Sequence, residues 1–151
     1  MNLNEAKEMA IILMSKHGLH LKGWRFEFDN SKRRFGVCNY TYRKIGLSKH
    51  LVELNPEHIV KNIILHEIAH ALTEGHGHGF IWQQKAIEIG CDGKRCYSTK
   101  IVEIPKGNYT AVCPICKFEH SKLRRPKYRS SCAKCGNGTF DLNRLLNFER
   151  K

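Results

Sequence analysis

Two histidines four residues apart, His66 and His70, bracket a glutamate in the run H-E-I-A-H. On a helix this spacing sends both imidazoles off one face a turn apart, so two ring nitrogens reach a single ion. Zinc suits such a pair. Glu67 then points to the side where a metal-bound water sits. Zinc lowers the pKa of that water towards neutrality, and the glutamate takes its proton as it attacks a carbonyl. With nine His and eleven Glu in 151 residues, roughly 0.04 of shuffled chains would carry the pattern. Chance is a poor explanation for it.

Two histidines leave such a site short, because a catalytic zinc normally takes three protein ligands and keeps one position open. The extended pattern H-E-x-x-H-x-x-G-x-x-H is excluded: Thr73 stands where it needs Gly. It also needs a later methionine turn, and Met1, Met9 and Met14 all lie upstream. A carboxylate is one alternative, with Glu88 and Asp92 at plausible distance. The others are His76 and His78, in a loop made permissive by glycines at 75, 77 and 79. Each fits H-G-x-x-aromatic, with Phe80 or Trp82 as the aromatic. Spacing alone leaves both open.

A second constellation lies downstream. Cys113 and Cys116 form one C-x-x-C knuckle and Cys132 and Cys135 another, fifteen residues apart. That is the spacing of a zinc ribbon, in which four thiolates close a tetrahedral structural site and hold a short segment folded. Between the knuckles, residues 122–129 carry five basic side chains and Tyr128. An exposed hairpin is expected there, suited to phosphate contacts and base stacking. Cys38, Cys91 and Cys96 match no ligand pattern and read as free thiols.

The elements that must position these groups follow from periodicity. Asn2 or Asn4 caps a helix running to about His17, with Gly18 beyond its end. Trp24, Phe26 and Phe28 alternate with charged residues as in a strand, and further strands are expected over 35–40 and 44–48, making a small antiparallel sheet. Asn55, Pro56 and Glu57 read as cap, first helical residue and first-turn acid. The helix they start has Ile59, Ile63, Ile64, Ile68, Ala71 and Leu72 on its apolar face and ends by Gly75. Another covers about 81–89, before Gly90. Pro105-Lys106-Gly107-Asn108 reads as a linker, dividing the chain into domains 1–105 and 106–151.

Charge supports the division. The chain carries +12, and from Lys106 onward eleven basic residues oppose three acidic ones, a local +8. Such a surplus attracts polyanions, nucleic acid first among them. No membrane segment is expected: the apolar run at 9–14 is too short to span a bilayer, and Glu5 and Glu8 precede it where a signal peptide would be basic. The cysteines are therefore placed in a reducing cytoplasm, where clustered thiols mean metal rather than disulfides.

Together these residues resemble the SprT-like family, which includes the Spartan proteases. The resemblance runs through Phe35-Gly36-Val37-Cys38, Ile45-Gly46-Leu47-Ser48, the stretch 65–72 around the two histidines, His78-Gly79 with Trp82, and the basic ribbon. It implies an α+β fold with a small zincin-like metallopeptidase domain over 1–105 and a basic zinc ribbon over 106–151. Aligning Trp82 and Gly90 to the family pattern selects His78 as third ligand. The implied protein is a zinc endopeptidase acting on DNA-bound proteins or DNA–protein crosslinks, with Glu67 as general base. One catalytic Zn2+ is expected on His66, His70 and His78, and one structural Zn2+ on Cys113, Cys116, Cys132 and Cys135. DNA is the expected partner, bound without sequence preference through the ribbon, beside a protein substrate, in a cytoplasmic, DNA-associated setting. The rival readings are a non-proteolytic zinc-containing DNA-binding protein and a protease that cleaves one repressor without DNA.

Overall fold

Asn2 starts the first helix by a reciprocal cap. Its side chain accepts the Asn4 N–H at 2.8 Å, while Glu5 accepts the Asn2 N–H at 3.3 Å. Helix α1 (Leu3–Lys16) buries Ala6, Ala10 and Met14. The computed structural model describes residues 1–97 and 101–151, and the chain divides into two units, Met1–Pro105 and Lys106–Lys151.

In the first unit, strands β1 (Arg25–Asp29), β2 (Gly36–Asn39) and β3 (Lys44–Ser48) form a sheet in the order β1-β3-β2. β2 and β3 make an antiparallel hairpin, closed where Arg43 N–H donates to Tyr40 O at 3.1 Å. β1 runs parallel to β3, Phe26 opposite Ile45 and Phe28 opposite Leu47. The sheet is thus mixed, not antiparallel as the alternation suggested. The physical reason lies in the β1–β2 connection, which folds over the end of β3 instead of reversing as a hairpin. Ser48 Oγ donates to Ser31 O, Ser48 N–H donates to Phe35 O at 2.8 Å, and Phe35 drops into the core. β3 holds the centre because Ile45 and Leu47 are fully buried.

Ser48 caps a short helix that periodicity did not reveal, α2 (Lys49–Leu54), by accepting the Leu51 N–H at 3.2 Å. The long helix α3 (Glu57–Leu72) begins after Pro56, with no side-chain cap. Asn55 was expected to cap it and does not. Its amide is buried and makes three bonds elsewhere, donating to Leu51 O and Glu103 O and accepting the Glu103 N–H. A buried amide is better served by three bonds than by one. α3 packs against α1, β2, β3 and α4 (Phe80–Glu88), so it is apolar on most of its circumference. Leu65, Ala69, Trp82, Ala86 and Cys91 form a satellite core between α3 and α4.

In the second unit, β4 (Tyr109–Val112) pairs antiparallel with β5 (Glu119–Lys122) and β6 (Glu149–Arg150). The first knuckle occupies the β4–β5 turn. The basic run 122–129 is consequently not a hairpin; it leaves β5 as irregular, largely exposed chain. The buried core is small: Ala111, Cys113, Cys132 and Leu146. Among the described residues no helix is long and apolar enough to cross a membrane.

Candidate functional site

α3 carries the first centre. His66 and His70 leave one face of it, and their Nε2 atoms stand 3.1 and 3.0 Å from Nε2 of His78. His78 returns to that face because Gly75 and Gly77 take positive φ, +85° and +53°, and turn the chain sharply after α3. Nitrogens at about 2.0–2.1 Å from one tetrahedral ion lie about 3.3 Å apart, close to these separations. Hydrogen bonding among the rings is the poorer account. A ring nitrogen offers one hydrogen or one lone pair, so His78 Nε2 cannot make two good bonds at once. Three lone pairs aimed at one cation are satisfied together.

The electrostatics agree. Burial, reinforced by the neighbouring imidazoles, brings His66 and His70 down to about 4, and burial with the nearby Arg95 also lowers His78. All three rings are neutral at pH 7, so a metal ion displaces no proton from them. Trp82 forms their common wall: it stacks on His70 at 5.1 Å between centroids and meets His66 and His78 edgewise at 4.7 Å.

Glu67 shares the cleft floor with these rings, in a cavity of about 590 Å³. It is 7% exposed, and burial raises its carboxyl to about 8 against the pull of Arg34. Tyr40 ties the site's two supports together, its hydroxyl donating to His70 O at 3.2 Å. Tyr97 also lines the cleft, but its hydroxyl is spent on Arg33 O at 3.2 Å. The other ligand candidates stand aside. Glu88 is exposed and paired with Lys85 at 2.6 Å, and neither His76 nor Asp92 joins the three nitrogens among the described residues.

The second centre lies wholly within Lys106–Lys151. Cys113 Sγ is 3.7 Å from Cys135 Sγ, and Cys116 Sγ is 3.7 Å from Cys132 Sγ. Thiolates at about 2.3 Å from one tetrahedral ion lie about 3.8 Å apart, whereas a disulfide needs about 2.05 Å. The four sulfurs fit a metal. Burial works against ionising Cys113, yet hydrogen bonds from the backbone N–H groups of Cys116 and Ile115 and from the Cys116 and Cys135 thiols outweigh it and lower that thiol's pKa. His120, unremarked in the sequence, sits with Nε2 3.2 Å from Cys132 Sγ. Its place on β5, two residues beyond Phe118 and beside a knuckle, was the available signal. In the basic run, Tyr128 is 85% exposed and all five cationic side chains face solvent.

No curated protein matches the chain. Among solved structures, the crystal structure of the metallopeptidase zymogen of Methanocaldococcus jannaschii jannalysin is similar, at 18% identity and a TM-score of 0.48. The similarity covers 64% of this chain and 85% of that one. A family model described as SprT-like matches residues 10–101. That match runs from within α1, through the helix bearing His66, Glu67 and His70, and past the loop that returns His78, so the chain belongs to the SprT-like family.

Proposed function

We propose that this protein is a zinc-dependent endopeptidase whose basic ribbon holds it on DNA, so that its substrates are DNA-bound or DNA-crosslinked proteins. One observation carries the catalytic half: three neutral imidazole nitrogens converge beside a buried carboxylate on one cleft floor. His66, His70 and His78 would hold the ion. When bound, zinc supplies a Lewis acid that polarises the scissile carbonyl and acidifies water. Glu67 accepts the proton of the attacking water and passes it to the leaving amine. Burial alone would keep this carboxyl protonated at neutral pH, and a cation held on the neighbouring rings would favour the carboxylate. Among the described residues β2 pairs with β3 alone, so its other edge, along the cleft at Gly36 and Cys38, can align an extended substrate. Cys113, Cys116, Cys132 and Cys135 would hold a structural zinc, and the exposed cations of 122–129 contact phosphates without reading bases. The cell compartment is the cytoplasm, where thiolate ligands stay reduced.

The test is cleavage of a basic, DNA-binding protein, with and without DNA, by wild type and by Glu67→Gln. The expected result is DNA-stimulated cleavage that the variant lowers by about 10²–10⁴-fold while keeping its zinc. Equal activity in the variant would overturn the hydrolytic reading. A salt titration of oligonucleotide binding tests the other half. Neutralising Arg124, Arg125 and Lys127 should flatten the slope by up to about one unit per lost contact, and an unchanged slope would remove the run as anchor.

A further inference from the structure

We infer that Gly36 is a positioning residue for Glu67: the missing side chain at 36 is the space in which the carboxylate is held. The inference rests on the endopeptidase reading, because it names what keeps the base in place. A Cβ at Gly36 would lie 2.5 Å from Glu67 Oε1, 2.8 Å from its Cγ and 2.9 Å from its Cδ, nearer than side-chain carbons ever come. Conformational freedom is not the reason for glycine here, since Gly36 has no positive φ. The requirement is purely spatial.

What would yield to an added methyl follows from the packing. β2 cannot recede, because Gly36 lies opposite Leu47, which is fully buried on the central strand. α3 cannot recede either, being packed by α1 and α4 on its other sides. The Glu67 side chain is the soft partner, and its only free direction is the cleft. Stability should therefore suffer little and placement of the base greatly. A misplacement of about 1 Å is enough to cost about 10²-fold in rate.

Gly46 is a built-in control. A Cβ there would meet Val37 Cγ1 at 2.9 Å, a comparable clash one register pair away. Val37 follows Gly36 on β2 and therefore faces the opposite side of the sheet from Glu67.

The experiment uses the full-length, zinc-loaded protein as Gly36→Ala, Gly46→Ala, Glu67→Ala and the double variant Gly36→Ala/Glu67→Ala. Gly36→Ala should retain both zinc ions and unfold close to the wild-type temperature. Its kcat should fall about 10²-fold while KM stays nearly constant. Gly46→Ala should lose thermal stability and keep kcat. Glu67→Ala removes all three contacting atoms, so in the double variant the methyl fits and the thermal midpoint should equal that of Glu67→Ala. The Glu67 side-chain carbon resonances of the metal-free protein give a readout independent of catalysis, and they should move in Gly36→Ala and stay in Gly46→Ala. Wild-type kcat in Gly36→Ala, a lower thermal midpoint in the double variant than in Glu67→Ala, or unmoved Glu67 resonances would each overturn the inference. Should Gly36→Ala fail to fold, the double variant must fold for the clash to be with Glu67. Absence of cleavage by wild type counts against the endopeptidase reading instead, and the resonances then still decide the placement.

Discussion

The two candidate metal centres are built on opposite principles. The histidine centre sits on a helix inside a core of fifteen buried residues, from Ala6 to Val102, none of which is a proposed ligand. The cysteine centre sits in a core of four buried residues, two of which, Cys113 and Cys132, are themselves proposed ligands. In the first unit a scaffold exists and a site is placed on it. In the second the site is most of the scaffold. Binding of a structural zinc contributes about 10–16 kcal/mol of apparent free energy, far more than four buried side chains supply. A metal can thus serve reactivity where packing already provides order, and must provide order where packing is thin.

The sharpest way to break that comparison is to remove the metal. A strong chelator at neutral pH should unfold Lys106–Lys151 and leave Met1–Pro105 folded, as read from amide resonances across the whole chain. Cys113→Ser should reproduce the loss in the ribbon alone. If both units melt together, or if the ribbon keeps its dispersed signals, the contrast is wrong.

A smaller effect separates two histidines in one loop. His78→Ala should lower bound zinc from about two equivalents to about one, since only two protein ligands remain, while the first unit stays folded. His76→Ala should keep both, because its ring lies outside the converging nitrogens. Metal analysis of the purified variants decides it; the opposite pattern would transfer the ligand role to His76.

The smallest effect is a pH dependence of the metal-free first unit, and its sign is fixed by opposing groups. His66 and His70 sit at about 4 when folded and 6.5 as free side chains, so the stability they allow is present above pH 6.5 and lost as pH falls through about 4. Glu67 sits at about 8 when folded and 4.5 when free, so it contributes in the other direction as pH falls from about 8 to 4.5. Two imidazoles outweigh one carboxyl. The unit's thermal midpoint should therefore drop between about pH 6.5 and 4.5, and drop more steeply in Glu67→Gln, which removes the opposing group. A midpoint that rises on acidification, or a slope unchanged in the variant, would contradict this assignment of charges.

The histidine pair, the glutamate between them and the two cysteine knuckles were legible from the sequence because their geometry is local. An i,i+4 spacing on a helix and a two-residue gap in a knuckle set positions through a handful of backbone angles. Helix α1, with its cap narrowed to Asn2 or Asn4, α4 and the strand at 44–48 were legible for the same reason. Elsewhere distant partners decided. Asn55 reads as a cap until Glu103, 48 residues away, takes its amide. β1 reads as half of an antiparallel pair until the chain at 30–35 crosses the end of β3 and leaves β1 parallel to it. His76 and His78 are equivalent in spacing, and it is the turn through Gly75 and Gly77 that carries one ring and not the other to α3. His120 and Gly36 acquire meaning only from what stands against them, a sulfur in one case and a carboxylate in the other. Sequence alone determined which residues can do chemistry, because side-chain type and short spacing are intrinsic to the chain. Tertiary structure decided which of them meet, because strand order, loop direction and the space beside a glycine come from contacts between segments that no local pattern encodes.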